Sequence, residues 1–206
     1  MKKSVIYVHG LGGNAEEADR YAPLFRGCDV IGFDYAAKNP WEATAEFPPF
    51  FDEVAAAHDS VSLIANSIGA YYTMCALGGK KIDAAYFISP IVDMEKLILD
   101  MMARAGVSEA ELKSKSEITT PTGDVLSWDY LSYVRNNPPA WSAPTHIVCG
   151  SRDSFTTFET MSGFAEAHGA TLTVLDGGEH WFHTDEQMKF IDDWLIKTVG
   201  KNGQNA

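Results

Sequence analysis

The chain has 206 residues, 46% hydrophobic and 21% charged, the balance of a globular protein long enough to bury a core without a disulfide or metal staple. Its formal net charge of −12 argues against partners that need concentrated Lys and Arg, so neither nucleic acid nor an anionic membrane is expected. The three cysteines, Cys28, Cys75 and Cys149, stand far apart with no CxxC pair, which excludes a zinc ribbon or redox motif and fits a reduced, cytoplasmic setting.

Met1-Lys2-Lys3 leads directly into an apolar run at 5–8, too short for the core of a signal peptide. No stretch approaches the ~20 apolar residues of a membrane helix. The run ends in Val8-His9-Gly10-Leu11-Gly12-Gly13-Asn14, a loop whose glycines let backbone N–H groups turn toward a ligand. It matches neither the GxGxxG nor the GxxxxGK[ST] phosphate pattern. Further short runs rich in Val, Ile, Phe and Tyr follow at 29–33, 61–65, 84–89, 146–149 and 171–175, and read as buried strands. Helical stretches lie between them at 15–26, 41–58, 68–77, 157–168 and 184–199; the last carries Met188, Ile191, Trp194, Leu195 and Val199 at helical spacing. Strand alternating with helix implies an α/β fold with a doubly wound, mostly parallel sheet of about six strands.

One segment breaks the alternation. Residues 91–142 are longer than a single crossover needs and read as a helical cap inserted into one domain spanning 1–206. Within it, residues 94–105 form an amphipathic, Met-rich helix, 111–122 are polar, and 128–134 are aromatic. Residues 201–206 read as a frayed tail.

The chemistry begins at Ala65-Asn66-Ser67-Ile68-Gly69, between an apolar strand and a helix of small residues. Small residues two before and two after a serine permit a tight strand-to-helix turn that projects its hydroxyl, and place the following N–H at a helix N-terminus. The bland alternative is a serine that caps the helix. A serine hydroxyl needs a base, and the base an orienting carboxylate. Cys149-Gly150-Ser151-Arg152-Asp153 follows one late strand, and Gly177-Gly178-Glu179-His180-Trp181-Phe182 follows the last. Both loops fall at the carboxyl ends of strands, where sites form in open α/β sheets.

With these residues in place, the chain resembles an α/β-hydrolase-fold protein over nearly its whole length. The resemblance implies Ser67 as nucleophile, Asp153 as acid, His180 as base, and oxyanion donors from the N–H groups of Leu11 and Ile68, in the chain order serine, acid, histidine. It implies no cofactor, no metal, and a small-molecule acyl substrate. Three departures stand out. The elbow begins with Ala65 where the pattern has glycine. The chain opens at the strand before His9-Gly10, so the antiparallel hairpin of the full fold is not expected. Asp93 follows the preceding strand and rivals Asp153 as the acid. His183 is a second candidate base, and a zinc site from His180, His183 and Glu179 or Asp185 is conceivable on residue types. His9 is expected to brace its loop, Asp34 to be a plain loop residue, and Trp181 and Phe182 to wall the pocket or anchor the last helix.

The expected activity is hydrolysis of a small carboxylic ester through an acyl-enzyme. The rivals are a lyase or other non-hydrolytic enzyme on the same scaffold, and a ligand-binding protein with a vestigial triad.

Overall fold

Apolar, β-branched and aromatic runs form eight strands in the computed structural model, which describes residues 1–202. They are β1 (Lys3–Val8), β2 (Cys28–Phe33), β3 (Ser60–Asn66), β4 (Ala85–Ile88), β5 (Glu117–Thr119), β6 (Val125–Ser127), β7 (Thr145–Gly150) and β8 (Thr171–Leu175). The helices are α1 (Pro40–Ala57), α2 (Ile68–Leu77), α3 (Met94–Ala105), α4 (Glu109–Lys115), α5 (Trp128–Asn136), α6 (Phe158–His168) and α7 (Asp185–Asn202). Two compact units result, Asp93–Pro139 in one, and Met1–Val92 with the chain from Ala140 onward in the other.

The larger unit is built on a six-stranded sheet in the order β2-β1-β3-β4-β7-β8, with every neighbouring pair parallel. Residues alternate between its two faces, as the strand period requires. On one face Tyr7, Ile64, Tyr86 and Ile88 join Trp194 and Leu195 of α7 in a buried cluster. On the other, Phe33 meets Phe47 of α1 edge-on and Tyr35 meets it at a tilt, and Phe47 in turn meets Tyr72 of α2. The sheet order puts β1 between β2 and β3, so the winding direction reverses there. In open α/β sheets, ligands bind at the carboxyl ends of strands beside such a reversal. The loop 9–14 leaves β1 at this point, and Ser67 leaves β3.

The expected helix at 15–26 is replaced by two short 3-10 helices, Ala15–Arg20 and Ala22–Leu24. Pro23 lacks the N–H that would continue a helix through the segment, and it stands in the first turn of the second 3-10 helix. At the other end α7 continues to Asn202, so the first two residues of the expected tail are helical. The last four lie outside the described residues.

The smaller unit holds α3, α4, α5 and an antiparallel β5–β6 hairpin that the polar composition of 111–122 conceals. Three-residue strands are too short to show a period of two. Their turn is held by Thr120 and Asp124, with the Thr120 N–H donating to the Asp124 carbonyl at 2.8 Å. Arg135 on α5 ties Glu95 on α3 and Glu109 on α4 at 2.6 and 2.9 Å.

Candidate active site

Ser67 is the single residue between β3 and α2, and its backbone is bent to φ 51, ψ −121, a strained conformation for a side chain. Its N–H donates to the Ile88 carbonyl at 3.0 Å, and its own carbonyl accepts from Ile91 at 3.1 Å and Ala70 at 3.2 Å. These bonds over-determine the turn. Gly69 makes it possible: a Cβ there would lie 2.2 Å from the His9 carbonyl oxygen, so only glycine lets α2 start this close to β1. Ala65, at the start of the elbow, is fully buried. The Ser67 hydroxyl does not cap α2. It lies 2.8 Å from His180 Nε2 instead.

Two further loops meet behind this serine. Gly150 ends β7, and a Cβ there would fall 2.2 Å from the Gly178 carbonyl, so its bare Cα allows the acid and histidine loops to touch. The Arg152 N–H donates to that same Gly178 carbonyl at 2.8 Å. Across the junction His180 Nδ1 lies 2.7 Å from Asp153 Oδ2. The other carboxylate oxygen of Asp153 accepts the N–H groups of Phe155 and Thr156 at 2.8 and 3.0 Å. The Asp153 side chain is only 2% exposed, and a carboxylate so buried is tolerated because its oxygens are hydrogen-bonded. The partners also set the tautomer: Nδ1 facing a carboxylate carries the proton, which leaves Nε2 as the acceptor facing Ser67.

Ser67, His180 and Asp153 are thus brought into one hydrogen-bonded chain. Asp93 is not part of it, because its carboxylate caps α3 by accepting the Lys96 N–H at 2.9 Å. His183 turns away as well; its Nδ1 lies 2.8 Å from the Trp181 carbonyl and its ring stacks on Trp181. No group of three or more His, Cys, Asp or Glu side chains among the described residues is arranged to hold a metal ion.

The loop after β1 closes on the same point. Gly13 donates to the Gly10 carbonyl at 3.1 Å, and Gly10 faces Ser67. His9 is buried beneath this turn: Nδ1 donates to the Gly10 carbonyl at 2.8 Å, its ring stacks on Tyr35 at 4.2 Å, and the Tyr35 hydroxyl donates to its carbonyl at 2.8 Å. This is a brace. A second brace comes from Tyr7, whose phenol donates to Glu17 beside Gly13; burial pushes its pKa far above the ordinary phenol range, so it stays a donor. Leu11 sits at the exposed tip of the loop. Ile68 opens α2, so its N–H has no partner within the helix. Asp34 is an exposed loop residue, Phe182 is buried in the cluster with α7, and Trp181 is exposed.

Sequence reasoning overlooked Phe155, Thr156 and the brace that Tyr35 forms on His9. The first two were within reach: an Asp followed by polar and loop residues commonly accepts N–H groups two and three positions on. Tyr35 carries no local signal, since its contact with His9 exists only through the β1–β2 pairing.

Similar solved structures include alpha/beta hydrolase domain-containing protein 10 from mouse, 16% identical, covering 96% of this chain and 90% of that one with a TM-score of 0.73. Est1E from Butyrivibrio proteoclasticus is 16% identical, with coverages of 98% and 88% and a TM-score of 0.72. A third, from work on carboxylesterases of the thaumarchaeon Nitrososphaera gargenis, is 16% identical with coverages of 100% and 92% and a TM-score of 0.67. No protein-family model matches the sequence, and no curated protein is significantly similar to it. The protein has the α/β-hydrolase fold.

Proposed function

We propose that the protein is a serine hydrolase that cleaves a small carboxylic ester. The observation that carries the reading is the Ser67–His180–Asp153 chain, at 2.8 and 2.7 Å, anchored on a strained serine. In this reading His180 Nε2 takes the Ser67 proton as Oγ attacks the ester carbonyl. The carbonyl π pair moves onto oxygen, where the N–H groups of Leu11 and Ile68 receive it, each lowering the barrier by about 3 kcal/mol. Asp153 holds the imidazole tautomer and offsets the imidazolium charge. Collapse of the intermediate breaks the bond to the alcohol, which leaves with the proton from His180. Water then repeats the sequence on the acyl-enzyme, with His180 as base, and releases the acid.

The substrate side follows from the side chains on the same loops. Leu11, Phe155 and Trp181 are exposed apolar residues on the oxyanion, acid and histidine loops, and exposed Phe158 opens α6 after the acid loop. Such a lip favours an uncharged, apolar acyl or alcohol group. The name Est1E and the carboxylesterases of Nitrososphaera gargenis are consistent with ester chemistry on this fold.

The test is fluorophosphonate labelling, read by intact mass and peptide mapping, together with turnover of p-nitrophenyl esters of graded acyl length. Labelling at Ser67, lost in Ser67→Ala, and hydrolysis that prefers uncharged acyl groups are expected. A folded protein that neither labels nor turns over any ester overturns the reading. Rate must also fall on acidification, because the base works as neutral imidazole. A profile flat from acid to neutral pH would remove His180 from the role.

A further inference from the structure

Phe155 touches the hydrogen-bonded chain at two points. Its N–H donates to Asp153 Oδ1 at 2.8 Å. Its ring lies against the imidazole of His180, with centroids 4.7 Å apart and planes inclined at 57°. Yet the residue is 45% exposed, so core packing does not account for a phenyl ring here. The carboxylate fixes its backbone, and the backbone delivers the ring to the base.

Resting on the serine-hydrolase reading, we propose that Phe155 is a positioning residue whose ring stabilises the imidazolium formed at His180 when Ser67 gives up its proton. The imidazole nitrogens are already engaged, Nδ1 by the Asp153 carboxylate and Nε2 by the Ser67 hydroxyl. These two groups make the hydrogen bonds of its ring among the described residues. The Phe155 ring lies beside the imidazole, tilted against it at 4.7 Å between centroids. A cation within about 6 Å of an aromatic centroid is attracted by the electron density of the ring, and the attraction grows where water is kept away. His180 is 15% exposed at its side chain, so the ring acts on a largely desolvated cation. Neutral imidazole gains little from the same contact. The interaction therefore favours the state after proton transfer over the state before it, which is the condition for lowering the barrier.

Ring fluorination separates this role from packing, because it drains the ring face of electron density with little change in size. The full-length protein would carry phenylalanine at 155, then 4-fluoro-, 3,5-difluoro- and 3,4,5-trifluorophenylalanine, alongside Phe155→Tyr and Phe155→Leu. The site is half-exposed, so none of these changes costs core packing. The expected result is a stepwise fall in kcat, about tenfold across the series, with KM little changed. Phe155→Leu should match the slowest fluorinated protein, and Phe155→Tyr should lie closer to phenylalanine than any fluorinated ring does. In parallel, NMR titration of the imidazole protons should show His180 protonating at progressively lower pH as fluorines are added. This second readout needs no turnover. A series flat in both measurements overturns the proposal even if Phe155→Leu is slow, because the ring then only packs. An NMR trend in a protein that neither labels nor hydrolyses esters supports the ring–imidazolium contact and overturns the hydrolase reading instead.

Discussion

Asp153 carries its charge in a place almost closed to water, and three hydrogen bonds allow it. Two come from backbone N–H groups and one from His180, so the carboxylate cannot rotate without breaking at least one of them. An amide in its place is the same size but offers a donor where an acceptor is needed. Asp153→Asn should therefore leave the fold intact and lower kcat by about 10³- to 10⁴-fold, the cost of holding the wrong imidazole tautomer. Steady-state kinetics and thermal unfolding of the same preparation check both halves. Asp93→Asn is the matching control. Its carboxylate caps α3, asparagine caps as well, and activity should be unchanged. Wild-type turnover in Asp153→Asn with loss in Asp93→Asn would reverse the assignment of the acid.

At the scale of elements, the site depends on how closely α2 can approach the end of β1. Gly69→Ala would drive a methyl into the His9 carbonyl, backbone against backbone, where neither side can yield cheaply. The variant should lose about 3 kcal/mol, the upper end of overpacking costs, and label more slowly with fluorophosphonate as the oxyanion loop shifts. Gly163, inside α6, has nothing within 4 Å of its would-be Cβ. Gly163→Ala should stabilise by about 0.5–1 kcal/mol, through helix propensity alone. Denaturant unfolding of the two variants tests the distinction between a glycine the geometry requires and one it does not. The same contrast explains what was legible in the sequence. The six sheet strands are built on short apolar runs, and the loops that end them carry Ser67, Asp153 and His180, so periodicity and loop chemistry locate both fold and candidate site. The β5–β6 hairpin escapes because its strands are three residues long. The 3-10 helices at 15–24 escape because an apolar spacing survives there although the backbone closes only two short helices. Braces such as Tyr35 on His9 join residues 26 positions apart, and no local pattern encodes them.

At the scale of the whole molecule, two opposing features meet: a sheet whose inner strands are buried, and a net charge of −12 spread over its outside. Cys149 lies on β7 in the sheet interior, and burial pushes its thiol up to about 11. At pH 7 the thiol therefore stays protonated, and the sulfur is shielded besides. Cys75 on α2 is pushed up to about 11 by the same cause, and burial also raises Cys28. Native thiols should thus react slowly with a disulfide reagent, and all three should react rapidly once the chain is unfolded. Because Cys149 sits where only large openings expose it, its modification rate should track the population of the globally unfolded state. That population depends on charge. Like charges at the surface repel most in the compact state, and salt screens them over about 8–10 Å at physiological ionic strength. Raising neutral salt from low to moderate concentration should therefore slow Cys149 modification and raise the thermal midpoint together. Mass-spectrometric mapping of the modified thiols would read this directly. Modification of Cys149 that is fast in the native protein, or that accelerates with salt, would mean that β7 opens locally and that its burial is not the barrier.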